Sequence, residues 1–219
     1  MDNAVKASTG FVLSHSLWRV FTPVVWLMLM FGSLISFGNI VMGFEDGSGI
    51  LVSMSAFSGI FCSVIFACSA DDFVTNYPSI KVLPVRKTNA LKACINKTML
   101  FYIAPYALII PIEFYLAKEH SIFCMLTSLC ITVDLAAIAG SIYCLSFFMK
   151  MSKNKNTAAG AYALLYGCTY ILYGLKGLFD KNIFLSQGNV VELISALVSA
   201  VISVLLFLKA RDTVAEKFE

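Results

Sequence analysis

The sequence predicts an all-α, polytopic membrane protein of six transmembrane helices, with both termini in the cytoplasm. Three observations lead there. Of the 219 residues, 59% are hydrophobic and only 13% are charged, whereas soluble domains run at about 25% charged. So few charges cannot cover a water-facing surface, so lipid must face much of the chain. Second, six apolar runs reach the ~20 residues that a helix needs to cross ~30 Å of hydrocarbon. Third, the basic residues fall almost entirely on one side of those runs. The whole chain, 1–219, reads as one transmembrane unit: an interfacial helix over 1–20, a six-helix bundle over 21–208 and a cytoplasmic tail over 209–219.

The elements follow in order. In the N-terminal segment Phe11, Leu17, Trp18 and Phe21 can share a broad helical face, with Lys6, Ser14, His15 and Arg19 among the polar positions. That pattern predicts an amphipathic helix lying along the inner leaflet, with Trp18 and Arg19 at headgroup depth. It is not a secretory signal: it lacks a clean apolar stretch, and the first long apolar run exceeds an h-region and has no small-residue cleavage site after it. The spans are 21–42, 49–70, 98–116, 122–148, 157–175 and 190–208. The runs lack strict alternation and are about twice the length of a barrel strand, which makes them helices. Pro23 in the first span and Pro105 and Pro111 in the third start or kink their helices.

Orientation comes from Lys and Arg. With the N-terminus inside, the inner segments hold Lys6 and Arg19; Lys81, Arg86, Lys87, Lys92 and Lys97; Lys150, Lys153 and Lys155; and Lys209, Arg211 and Lys217. These are 13 of the 16 basic residues, and only Lys118, Lys176 and Lys181 fall outside. Three loops are short: 43–48, 117–121 and 150–156. The inner loop 71–97 is longer. So is the outer loop 176–189, whose Ile183, Phe184 and Leu185 suggest a dip into the outer interface.

Six of the seven cysteines, Cys62, Cys68, Cys124, Cys130, Cys144 and Cys168, lie inside apolar runs, and Cys94 lies in the basic inner loop. With no CxxC pair they read as reduced packing residues. The two histidines, His15 and His120, are far apart in sequence, so no His-based metal site is expected.

The inner loop between spans two and three is the most specific feature. Asp71 and Asp72 end the span, an aromatic and aliphatic segment follows, and Leu83-Pro84-Val85-Arg86-Lys87 leads to Thr88 as a helix cap. Exposed apolar residues in a cytoplasmic loop need a partner, which is either the membrane surface or another protein.

This layout resembles the permease subunit of the type-2 ATP-binding-cassette transporters. The residues that carry the resemblance are the N-terminal amphipathic segment, the longer inner loop between spans two and three with Leu83-Pro84-Val85-Arg86-Lys87-Thr88-Asn89-Ala90-Leu91-Lys92-Ala93, and the apolar outer segment before the last span. It extends over essentially the whole chain, through loose motifs. The resemblance implies that the inner loop forms a coupling helix seated in a cleft of the ATPase, with Phe73, Tyr77, Pro78, Ile80, Leu83, Pro84 and Arg86 as coupling residues. Val85 stands where many relatives carry Ser. There is no GxxxxGK[ST] phosphate loop, so nothing on this chain can cradle ATP phosphates. The implied partners are therefore a separate cytoplasmic ATP-binding subunit, which would hold ATP and Mg²⁺, and a second permease copy, identical or related. The implied location is the plasma membrane. No cofactor on this chain and no nucleic-acid partner are expected.

Within the spans, Asp134 stands in the middle of the fourth, where a charge is costly unless it faces protein or water. Two readings are open: a residue of the substrate path or gate, or a structural residue that is protonated or paired with a hydroxyl or amide in a neighbouring span. Glu113 and Glu192 sit near the outer interface, and Glu192 suits a helix N-terminus electrostatically. Gly160, Gly167 and Gly174 repeat every seven positions and Ser195, Ser199 and Ser203 every four. Such stripes permit close packing, and the serines can also line a path.

The leading expectation is thus the membrane subunit of an ATP-driven exporter working by alternating access on a hydrophobic or amphipathic substrate such as a peptide, lipid-like compound or drug. A secondary carrier or accessory subunit using Asp134 as a proton site is the alternative. A membrane enzyme binding Mg²⁺ and a lipid diphosphate at Asp71 and Asp72 is the third reading, and it lacks a second acidic cluster on the inner side.

Overall fold

The computed structural model describes residues 122–150, 155–185 and 188–217, together with residues 88–89, 91–93, 95–96, 99, 103, 110 and 111. The N-terminal segment, the first two predicted spans, most of the inner loop and Glu113 lie outside the described residues. Among the described residues all regular structure is α-helix. Three long helices follow one another: α1 (Ile122–Lys150), α2 (Lys155–Leu185) and α3 (Val190–Glu216). The other described residues, from 88 to 111, are helical as well.

α1 and α3 are long and apolar enough to cross a membrane. The 27 residues of α3 rise about 40 Å, against ~30 Å of hydrocarbon. α2 carries Tyr162, Tyr166, Tyr170 and Tyr173 as well as three lysines, Lys155, Lys176 and Lys181. Its course also departs from expectation. The segment from Lys176 to Leu185, predicted to be the first part of an outer loop, continues the helix. Charge at Lys176, Asp180 and Lys181 suggests a loop, but no proline interrupts the segment, and Leu178, Phe179, Asn182 and Ile183 keep the helical spacing of one face. Lys176 is accordingly buried at 2% exposure rather than free in an outer loop, and Ile183 is buried at 7%. Likewise α3 runs on to Glu216, past the predicted end at Leu208.

The turn into α3 is set by local chemistry. Gly188 adopts a φ of 70°, a region that glycine enters without steric cost. Asn189 then caps α3: its backbone is extended and its side-chain oxygen accepts from Val191 N at 3.1 Å. Glu192, in the first turn, places a negative charge at the positive end of the helix.

α1 is the central helix and packs against both α2 and α3. Of its apolar window 44% is buried, against 11% for α3. Small residues allow the approach: Ala136, Ala137 and Ala139 are buried, and at Gly140 a Cβ would lie 2.8 Å from Met99 Sδ and 2.8 Å from Phe207 Cδ2. The third predicted span and α3 therefore close on α1 at a glycine. The hydroxyls of Thr127, Thr132, Ser141 and Ser146 donate to carbonyls three or four residues back at 2.7–2.9 Å. Each is satisfied within its own helix, as an apolar surround requires.

α3 is built inside out. Ala200, Ser203 and Phe207 form its buried stripe, while Val191, Ile194, Leu205 and Leu206 are at least 56% exposed. Large apolar side chains facing outward, with Ala200 and Ser203 beside Phe207 on the packed face, fit a helix of membrane-crossing length. The glycines of α2 behave differently from the predicted packing stripe: no described atom lies within 4 Å of a Cβ placed at Gly167 or Gly174, and only Met149 Cε, at 3.7 Å, neighbours Gly160.

Beyond Leu208, where the apolar run ends, a polar cluster ties α3 to the earlier helical stretch. Lys92 Nζ lies 3.0 Å from Asp212 Oδ1, and Arg211 Nη1 donates to Asn96 Oδ1 at 2.8 Å. Arg211 also pairs with Asp212 at 2.8 Å. Burial pushes the Asp212 carboxyl up, but hydrogen bonds from Lys92 and Arg211, with their positive charges, outweigh it and hold the group below its ordinary value. Lys92 and Arg211, both assigned to the inner side by the sequence, thus meet at one end of the bundle.

A candidate cavity at Asp134

A cavity of about 470 Å³ lies between the three helices. Each helix contributes one face to it. α1 gives Thr127, Ile131, Asp134 and Leu135; α2 gives Phe179, Asn182 and Ile183; α3 gives Glu192, Ser195, Ala196 and Ser199. These are helical spacings of three and four, so each set is a single stripe. The floor is α1, which both other helices touch. Ser199 is nine residues into α3, about 14 Å from its start, so the cavity occupies the half of the bundle nearer the α2–α3 turn.

One hydrogen bond crosses the site. Ser199 Oγ donates to Asp134 Oδ2 at 2.7 Å, joining residues 65 positions apart. The other carboxylate oxygen, Asp134 Oδ1, is buried and has no hydrogen-bond partner among the described residues. Ser195 instead donates to the Glu192 carbonyl at 2.8 Å. Among the described residues that line the cavity, Asp134 and Glu192 are the only ionisable ones, and both are acidic. Lys176, buried on α2, is not among them.

The four residues singled out for a path or gate, Asp134, Glu192, Ser195 and Ser199, all line this cavity. The third member of the serine stripe, Ser203, is buried further along α3. The α2 contribution was missed because residues 176–189 read as a loop. Thr127 and Ile131 had a usable signal, since they share the face of Asp134 at spacings of seven and three. The coupling residues Phe73, Tyr77, Pro78, Ile80, Leu83, Pro84 and Arg86 lie outside the described residues, as do Asp71 and Asp72. The described cysteines, Cys124, Cys130, Cys144 and Cys168, form no disulfide, and Cys124 and Cys144 are buried.

Comparison with protein families, with curated proteins and with solved structures finds no match.

Proposed function

We propose that this chain is the membrane-embedded subunit of a transporter, and that the cavity at Asp134 belongs to its substrate path. The observation that carries the reading is the juxtaposition of Asp134, Glu192, Ser195 and Ser199 around one space between helices of membrane-crossing length. A partly buried acidic group at a cavity between apolar helices is what a translocation site needs, and an ordinary packing interface does not. The six apolar runs and the one-sided distribution of Lys and Arg support a six-span arrangement with both termini cytoplasmic in the plasma membrane.

In this reading the transport step is ATP-driven and outward. The 83–93 segment and the overall layout, which resemble a type-2 ATP-binding-cassette permease, support a separate ATPase polypeptide seated on the inner loop and a second permease copy beside this one. ATP closes the ATPase pair, the inner loop carries that motion to the spans, and the path opens outward. The test is to co-purify the chain with ATPases carrying a phosphate loop and to compare ATP turnover with and without Tyr77→Ala. Association with one of them, with turnover coupling reduced by Tyr77→Ala, is the expected result. A chain that associates with none defeats the ATP-driven reading.

One observation favours a second reading. Asp134 Oδ1 is buried without a partner among the described residues, an arrangement suited to a carboxyl that takes and releases a proton during a transport cycle. A carrier of that kind would transport in step with a proton gradient, without ATP, and would stop in Asp134→Asn.

A further inference from the structure

The charge of the lining narrows the substrate class, on the premise that the cavity is the substrate site proposed above. Two carboxyl-bearing residues, Asp134 on α1 and Glu192 on α3, face the space, and α2 adds the amide of Asn182. Among the described residues no lysine, arginine or histidine lines it. The remainder is apolar: Ile131, Leu135, Phe179 and Ile183 form a greasy wall. An anion entering would meet two acidic groups and no cation. A neutral hydrocarbon would leave the polar groups of Asp134 and Glu192 without partners, which is costly in an apolar surround.

We infer that the cavity binds a lipophilic cation, an amine or ammonium on an apolar body. The nitrogen is held at Asp134, the body lies against Ile131, Leu135, Phe179 and Ile183, and Glu192, seven residues from Ser199 along α3, adds negative charge at the rim. Among the described residues Asp134 has one donor, Ser199, for two oxygens. A protonated amine supplies N–H donors and positive charge together, which neither lipid tails nor the neighbouring helices do. The volume, about 470 Å³, falls in the range of pockets for drug-sized ligands, roughly 300–1,000 Å³. That size suits a single small amphiphile or the cationic end of a longer one.

The probe is dansylcadaverine, a fluorescent primary amine, measured against its N-acetylated neutral form on the full chain in phosphatidylcholine nanodiscs, with empty nanodiscs subtracted. Zwitterionic lipid removes the general attraction of cations to an anionic surface. The amine is expected to bind at least about tenfold more tightly than the neutral form, as a charge-assisted hydrogen bond implies. Asp134→Asn, which keeps the side-chain shape, and Glu192→Gln, in the exposed first turn of α3, should each narrow that ratio. Equal binding of the two probes to the native chain overturns the inference without requiring any variant to fold. So does a ratio that survives both substitutions. No ATPase is present in this assay. Failure here with an ATPase still associating would remove the substrate class alone, whereas loss of ATPase association would leave this binding test standing.

Discussion

Gly140→Ala puts the helix packing to a direct test. A methyl group at this position would sit 2.8 Å from Met99 Sδ, Phe207 Cδ2 and Phe207 Cε2. Carbon–carbon contacts are optimal at about 3.5–4.0 Å, so each neighbour must retreat by most of an ångström. Methionine can do so by rotating its flexible chain. Phe207 cannot retreat easily, because its ring is 7% exposed and belongs to the same buried cluster as Tyr143 and Ala139. Inserting one carbon into such a site costs about 1–3 kcal/mol. For a chain of 219 residues that corresponds to a fall in Tm of roughly 2–12 °C. The buried thiols Cys124 and Cys144 provide a readout, since a thiol-reactive fluorophore labels them as the bundle opens. Phe207→Leu should lower stability alone yet absorb much of the Gly140→Ala penalty in the double variant, because the two changes meet at one contact. An unchanged melting temperature in Gly140→Ala, or strict additivity in the pair, would refute the close approach of α1, α3 and Met99.

Three further outcomes are expected. Asn189→Ala removes the side-chain oxygen that accepts from Val191 N and should cost ~1 kcal/mol, read as a lower melting temperature that Asn189→Ser restores. Asp134→Leu should leave stability unchanged or raise it while abolishing transport or probe binding; a fall of several degrees would make Asp134 a structural residue. Asp212, held below its ordinary value, contributes stability that is present above about pH 4, the unfolded value, and is lost as the pH falls through its lower folded value. The gap in melting temperature between the native chain and Asp212→Asn should therefore be open at neutral pH and close in strong acid. Because the group is 41% exposed, the gap should be small and sensitive to salt.

The helical class and the locations of α1 and α3 were legible because apolar length is a strong signal: the predicted 122–148 and 190–208 lie within Ile122–Lys150 and Val190–Glu216. The outer loop was misread at 176–185 because charge was taken as the end of a helix, when the spacing of Phe179, Asn182 and Ile183 continues it. The cap at Asn189 was readable from Asn189-Val190-Val191-Glu192, an Asn with a Glu three positions on, but attention fell on Glu192 alone. The pairing of Asp134 with Ser199 was anticipated only as a type, a carboxyl with a hydroxyl on a neighbouring helix. Which serine it would be depends on how α3 is rotated against α1. An apolar helix carries little information about that rotation, because apolar residues occupy its whole circumference.

The energetics separate the two readings of Asp134. A carboxylate at the middle of a membrane helix costs ~2.5–3.5 kcal/mol on insertion scales. A hydrogen bond between helices returns ~0.6 kcal/mol on average and ~1.7 at most. The bond from Ser199 therefore leaves a deficit, and the unpartnered Oδ1 adds to it. An asparagine at this position would keep the Ser199 contact at lower cost, so the contact is no reason for an acid. Thr127, Thr132, Ser141 and Ser146 satisfy themselves on their own helices, so these four hydroxyls make no such cross-link. What a carboxyl does and an amide does not is change charge or attract one. Both capacities act on something entering the cavity, a proton or a cation, and that makes Asp134 more intelligible as a ligand-facing group than as part of the scaffold.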